Sequence, residues 1–141
     1  MLLSELLRNI LFTGYMPLVD IDVTGIVSDS RRVQPGDLFV AFKGGSFDGH
    51  QFIPQAVDRG ALVVIGEESG IQSPVPYVQV ENSRRALAYL SAAFYGNPAR
   101  QLTMIGVTGT DGKTTTGNLL YHILRYAGKR VGIVSTVNAV I

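Results

Sequence analysis

One run of ten residues, Gly106-Val107-Thr108-Gly109-Thr110-Asp111-Gly112-Lys113-Thr114-Thr115, leaves this 141-residue chain few folds to choose from. It lies between an apolar stretch, Leu102 to Val107, and an amphipathic one from about Lys113 to Tyr126 that Gly128 terminates. That order predicts a strand, a glycine-rich turn and a helix, the setting in which backbone amides and a helix N-terminus face a phosphate group. The glycines let successive N–H groups converge on phosphate oxygens. Lys113 is then the cation for the β- and γ-phosphates, Thr114 the hydroxyl ligand for Mg²⁺, and Thr115 a donor to a neighbouring oxygen. A turn that needs glycine for packing alone would not require lysine followed by two threonines. The spacing departs from G-x-x-x-x-G-K-[ST], because Val107 stands five positions before Gly112. Asp111 is also unusual beside a polyphosphate, and a place over the helix N-terminus would reconcile its charge with that setting.

The helix following this loop has Leu119, Leu120, Ile123, Leu124 and Ala127 on one face, with His122 on the solvent side. An apolar strand, Val131 to Ser135, comes next, and two strands joined by such a helix are expected to be parallel neighbours in a right-handed crossover. A parallel pair alone would leave apolar faces and strand edges uncovered, so the chain reads as truncated inside a larger domain, with a swapped or partnered arrangement as the other way to cover that surface.

Upstream, a second α/β pattern is complete in itself. Ser4 is placed to cap a helix with Leu6, Leu7, Ile10 and Leu11 at helical spacing, ended by Gly14. Strands are predicted at Ile26 to Ser28 and Leu38 to Phe42, around a Pro35-Gly36 turn. The loop Gly44-Gly45-Ser46-Phe47-Asp48-Gly49 follows, then a helix with Pro54 in its first turn and Gly60 at its end. Strands Leu62 to Ile65 and Val75 to Val80 lead through Asn82 into a helix bearing Ala86, Leu87, Leu90, Ala93 and Phe94, with Gly96 at its end. Asn97-Pro98 then suggests a domain boundary, dividing 1–98 from 99–141.

Twelve basic against eleven acidic residues leave a net charge of +1, so no global field recruits nucleic acid or an anionic membrane. Arg84, Arg85, Arg125, Lys129 and Arg130 read as scattered, solvated helix-end charges. The six tyrosines and six phenylalanines read as packing residues. The absence of cysteine removes disulfides and thiolate sites and suits a reducing compartment. Met1 to Phe12 contains Ser4, Glu5, Arg8 and Asn9 and so resembles neither a signal peptide nor a membrane span, which points to the cytoplasm. His50, alone in its turn, reads as structural or solvent-facing rather than as a base.

The run Gly106 to Thr116 resembles the nucleotide loop of the Mur ligase family, which reads Gly-Thr-x-Gly-Lys-Thr. Ser28-Asp29-Ser30-Arg31-Arg32-Val33-Gln34-Pro35-Gly36-Asp37-Leu38-Phe39-Val40-Ala41 resembles the N-terminal domain of that family's MurE type. Asp48-Gly49-His50 and Phe52-Ile53-Pro54-Gln55-Ala56 are similar to the same group. The resemblance implies a small N-terminal α/β domain that holds a UDP-sugar, followed by the first β-loop-α-β unit of a P-loop ATPase domain. It further implies an ATP- and Mg-dependent amide ligase of peptidoglycan precursor synthesis. Such a ligase joins a third amino acid to UDP-N-acetylmuramoyl-L-alanyl-D-glutamate through an acyl phosphate.

By position, the resemblance assigns Ser28, Ser30, Gly45, Ser46 and Phe47 to the UDP-sugar. Gly109, Thr110, Asp111, Gly112, Lys113, Thr114 and Thr115 go to ATP, with Lys113 catalytic and Thr114 on Mg²⁺. Hydroxyls and loop amides suit uracil and diphosphate oxygens, and Arg31 adds charge if it faces the cleft. Asp29-Ser30 reads equally well as an Asx-type turn with Arg31 in a surface pair. Ser135-Thr136 stands where the group usually has Gly-Thr. The remaining catalytic parts are expected beyond Ile141, so these residues alone are not expected to ligate. Two other classes fit parts of the pattern: a different P-loop enzyme, such as a kinase or a folylpolyglutamate-synthetase relative, and a non-catalytic module for a UDP ligand or a partner.

Overall fold

The computed structural model describes residues 1–13, 21–45, 47–136 and 139–140. They divide into two compact units, Met1–Leu102 and Thr103–Ile141. A 3₁₀ turn at Pro98–Gln101, entered through Asn97 in the left-handed region (φ 55°), belongs to the first unit.

The first unit is a five-stranded sheet. Its strands are β1 (Phe12–Thr13), β2 (Gly25–Val27), β3 (Asp37–Val40), β4 (Val63–Gly66) and β5 (Tyr77–Val80), in the order β1-β5-β4-β3-β2. β2 to β5 are parallel, and β1 pairs antiparallel with β5 through Phe12 opposite Val80. Period-two alternation sorts the apolar side chains onto two faces. Leu38, Val40, Val63, Ile65, Val78 and Val80 pack with Leu3, Leu6 and Leu7, and with Ala86 and Leu90 of α3 (Ser83–Phe94). Phe39, Ala41 and Val64 turn the other way, onto Val33 and onto Ile53 and Ala56 of α2 (Ile53–Asp58). Central strands covered on both faces explain why β3 and β4 are buried throughout.

Local signals position these elements much as expected. Pro54 occupies the first turn of α2, and Gly60 (φ 100°) ends it where an added Cβ would lie 2.8 Å from Pro35 Cα. Asn82 Oδ1 accepts from Arg85 N–H at 2.8 Å and caps α3.

The opening helix differs from the expectation. α1 covers only Leu3–Leu6 and passes into a 3₁₀ turn at Leu7–Asn9; its N-cap is Leu2, without a side-chain cap, rather than Ser4. Leu2 forms a bridge with Asp22, and Leu3 N–H donates to Ile21 O at 2.9 Å, so pairing along the chain moves the helix start forward. Gly14 lies outside the described residues.

In the second unit, α4 spans Lys113–Tyr126, as predicted, and Gly128 (φ 75°) follows it. The expected strand Leu102 to Val107 makes no ladder among the described residues, and Met104 and Ile105 are 68% and 59% exposed. Nor do the described residues form the expected parallel crossover. β6 (Ile133–Val134) pairs antiparallel with β7 (Ala139–Val140). A strand needs a neighbour's N–H and C=O groups, and apolarity does not supply one. Leu119 and Ile123 of α4 are correspondingly exposed. No helix among the described residues is long and apolar enough to cross a membrane.

Candidate functional site

β2 ends beside an open cleft of about 450 Å³, lined by Ser28, Asp29, Ser30, Arg31, Phe39, Phe47, Gly49, Phe52 and Gln55. The chain turns sharply there because Asp29 anchors it. The Asp29 carboxylate accepts from Arg31 N–H at 3.0 Å, from Nε at 2.9 Å and from Nη2 at 2.8 Å. The Arg31 side-chain bonds, then its backbone N–H, hold the Asp29 carboxyl at about 2, and Arg31 is raised in turn. The Asx-type turn with its surface pair is therefore formed, and it fixes Arg31 on the cleft wall. Ser30 is buried, and its hydroxyl donates to Gln55 Oε1 at 2.6 Å, joining the turn to α2. A second open hollow of about 420 Å³ shares Ser28 and Asp29 and continues past Arg32 to Gln34 and Asp37.

Of the residues expected to meet a UDP-sugar, Ser28, Ser30 and Phe47 line the first cleft. Gly45 is not among its lining residues, and Ser46 lies outside the described residues. Phe47 is held through its backbone: Gly44 N–H donates to Phe47 O at 2.8 Å. Downstream, Gly49 N–H donates to Phe42 O at 3.0 Å, and a Cβ on Gly49 would lie 2.7 Å from that oxygen, so only glycine fits.

His50 fastens this loop to the sheet. Asp48 Oδ1 meets His50 N–H at 2.9 Å and Nδ1 at 2.6 Å, and His50 Nε2 accepts from Glu67 N–H at 3.0 Å. An accepting Nε2 places the proton on Nδ1, which donates to Asp48, so the ring is neutral. The backbone N–H of His50 and then the ring bond lower the Asp48 pKa. Ligand atoms of Asp48, His50 and Glu68 lie within 4.8 Å of one another, a spacing a metal ion can use. Both ring nitrogens are already engaged, however, and Glu68 Oε1 pairs with Lys43 at 2.7 Å. The cluster is a latch, which resolves the expectation for His50 in favour of structure.

The glycine-rich loop of the second unit leads directly into the N-terminus of α4. Gly112 (φ 73°, ψ 0°) is the N-cap of α4 and brings no side-chain cap. Thr116 N–H donates to Gly112 O at 2.9 Å at the start of the helix, so the amides of Lys113, Thr114 and Thr115 lie ahead of the ladder. Lys113 Nζ donates to the carbonyls of Gly109 and Thr110, which holds its ammonium over the loop. Asp111, Thr114 and Thr115 are all exposed. First-turn amides plus a positioned ammonium fit a polyphosphate chemically.

Sequence reasoning missed Gln55 and Phe52 as cleft residues. Gln55 sits 25 residues from Ser30, and no local pattern marks so distant a partner.

Both parts of the chain have counterparts among known proteins. Residues 22–95 match the pattern described as Mur ligase family, catalytic domain, and residues 107–141 match the Mur ligase middle domain. The chain is 47% identical over 140 residues to UDP-N-acetylmuramyl-tripeptide synthetase of Roseiflexus sp. (strain RS-1), covering 98% of this chain and 28% of that protein. It is 44% identical over 139 residues to the UDP-N-acetylmuramoyl-L-alanyl-D-glutamate--2,6-diaminopimelate ligase of Bacteroides fragilis, covering 97% and 29%. Among solved structures it resembles the MurF ligase of Thermotoga maritima in complex with ADP, at TM-score 0.56 and 39% identity over 77% of this chain and 25% of that one. The chain thus spans under a third of the length of these relatives.

Proposed function

Because this chain belongs to the Mur ligase family, we propose that it holds the UDP-sugar and the nucleotide phosphates for an ATP-dependent amide ligase of peptidoglycan precursor synthesis. The acceptor is UDP-N-acetylmuramoyl-L-alanyl-D-glutamate and the reaction adds the third amino acid. The observation that carries this reading is the 47% identity to a UDP-N-acetylmuramyl-tripeptide synthetase, which runs through both the Ser28–Arg31 turn and the Lys113 loop. The acceptor carboxylate is phosphorylated, and the incoming amine attacks the acyl phosphate, forming the amide and releasing phosphate.

In this proposal the first unit is the substrate holder. Ser28, Ser30 and Phe47 contact the UDP moiety from the cleft they line, and Gly45 and Ser46 are assigned to the same ligand. In the second unit, Gly109, Thr110, Asp111 and Gly112 shape the turn, and the amides of Lys113 and Thr115 donate to phosphate oxygens. Lys113 offsets the charge that develops as the γ-phosphoryl moves. The Thr114 hydroxyl, on the exposed first turn of α4, would hold Mg²⁺, which would supply positive charge to offset that of the phosphates. A cysteine-free composition accords with work in the cytoplasm.

Calorimetric titration with UDP-N-acetylmuramoyl-dipeptide and, separately, with Mg-ATP tests the reading. Binding of the UDP ligand that is lost in Ser30→Ala supports it. A folded chain that binds Mg-ATP but no UDP ligand would assign the loop to a different class of P-loop enzyme.

A further inference from the structure

The Ser30–Gln55 pair has a polarity that selects what it can read. Ser30 donates its only hydroxyl proton to Gln55 Oε1 at 2.6 Å. The proton is therefore committed, and Ser30 Oγ can offer the cleft only lone pairs. With Oε1 held by Ser30, the Gln55 amide keeps its Nε2 donors, and no acceptor takes them among the described residues. Both residues border the cleft of about 450 Å³, whose wall also carries the exposed rings of Phe47 and Phe52. An acceptor and a donor on neighbouring side chains, in a cleft that also carries two aromatic rings, form a small recognition edge.

We propose that Ser30 and Gln55 together read the imide edge of a uracil base: Ser30 Oγ accepts from N3–H and Gln55 Nε2 donates to the O4 carbonyl oxygen. This rests on the UDP-binding reading above and adds Gln55 as the residue that sets base specificity. A phosphate oxygen does not fit the pair, because it needs donors and Ser30 has none left. An N-acetyl group does not fit either, since a trans amide points its N–H and C=O in opposite directions. An imide presents them on one edge. Cytosine places an acceptor at N3 and an amino group beside it, so the same pair opposes lone pair to lone pair and donor to donor.

The test is titration of the chain and of Gln55→Ala with UDP and with CDP. Gln55 is exposed on α2, so its truncation leaves the core intact, which a thermal melt checks. The unsubstituted chain should bind UDP at least about tenfold more tightly than CDP, the worth of one or two hydrogen bonds. Gln55→Ala should lower UDP affinity about tenfold and bring the UDP:CDP ratio close to one, because a released Ser30 hydroxyl can turn and donate to cytosine N3. A purely structural role for Gln55 would weaken both nucleotides alike. UDP binding with an unchanged UDP:CDP ratio in Gln55→Ala, or with no preference in the unsubstituted chain, overturns the proposal while leaving UDP binding standing. Failure of both nucleotides to bind the folded, unsubstituted chain overturns the UDP reading and this inference together.

Discussion

Gly66→Ala is expected to loosen the first unit and, through it, the cleft. Gly66 is buried at the end of β4, and an added Cβ would fall inside van der Waals contact of Tyr77 Oη and 2.7 Å from His50 Nε2. Each way of relieving the overlap breaks a bond. Moving Tyr77 loses its hydroxyl's donation to Glu68 O at 2.8 Å, and moving His50 strands the Glu67 and Glu68 amides that it accepts from. One lost hydrogen bond of about 1 kcal/mol added to overpacking of about 1–3 kcal/mol gives a destabilisation of about 2–4 kcal/mol. Tyr77→Phe removes the nearer obstacle, so Gly66→Ala should cost about 1–2 kcal/mol less in that background. Because the chain has two units, the measurement should be native-state amide exchange at β4 positions such as Val64, whose N–H donates to Pro76 O. A cost below about 1 kcal/mol, or one that is the same with and without the tyrosine hydroxyl, would refute the close packing of Gly66, His50 and Tyr77.

Asp29 should titrate near 2 by carboxyl NMR instead of at its ordinary 3.8, and Arg31→Ala should return it toward that ordinary value. Because its folded value is depressed, the fork with Arg31 is fully present above pH 3.8 and is lost as pH falls through about 2. Lys113→Ala should weaken Mg-ATP binding at least about tenfold in calorimetry, since it removes a charge-assisted contact. It should leave α4 helicity unchanged by circular dichroism, because among the described residues the ammonium bonds to the exposed carbonyls of Gly109 and Thr110 in the loop. Loss of helix instead of binding would show that Lys113 serves the fold.

What could be read from the chain alone was local. Glycine at 60 and 128 supplies positive φ, Asn82 caps α3, and Pro54 opens α2; each signal acts within a few residues of itself. The same is true of the loop before α4, where glycine, lysine and threonine spacing is set by one turn and one helix start. The apolar run Leu38 to Phe42 announced a strand, and β3 forms over Asp37–Val40, buried throughout. Pairing was not legible. Leu102 to Val107 has the composition of a strand and no ladder among the described residues, β6 takes an antiparallel partner, and α1 begins where Leu2 meets Asp22. Strand hydrogen bonds are satisfied by distant chain, so apolarity nominates a strand and only tertiary contact makes one. The candidate site divides in the same way. Ser28, Ser30 and Lys113 stand in recognisable motifs, whereas Gln55 acquires its meaning from a serine 25 residues away, and His50 from amides in the turn after β4. The chain's order determined which groups were available; folding decided which proton each of them had left to give.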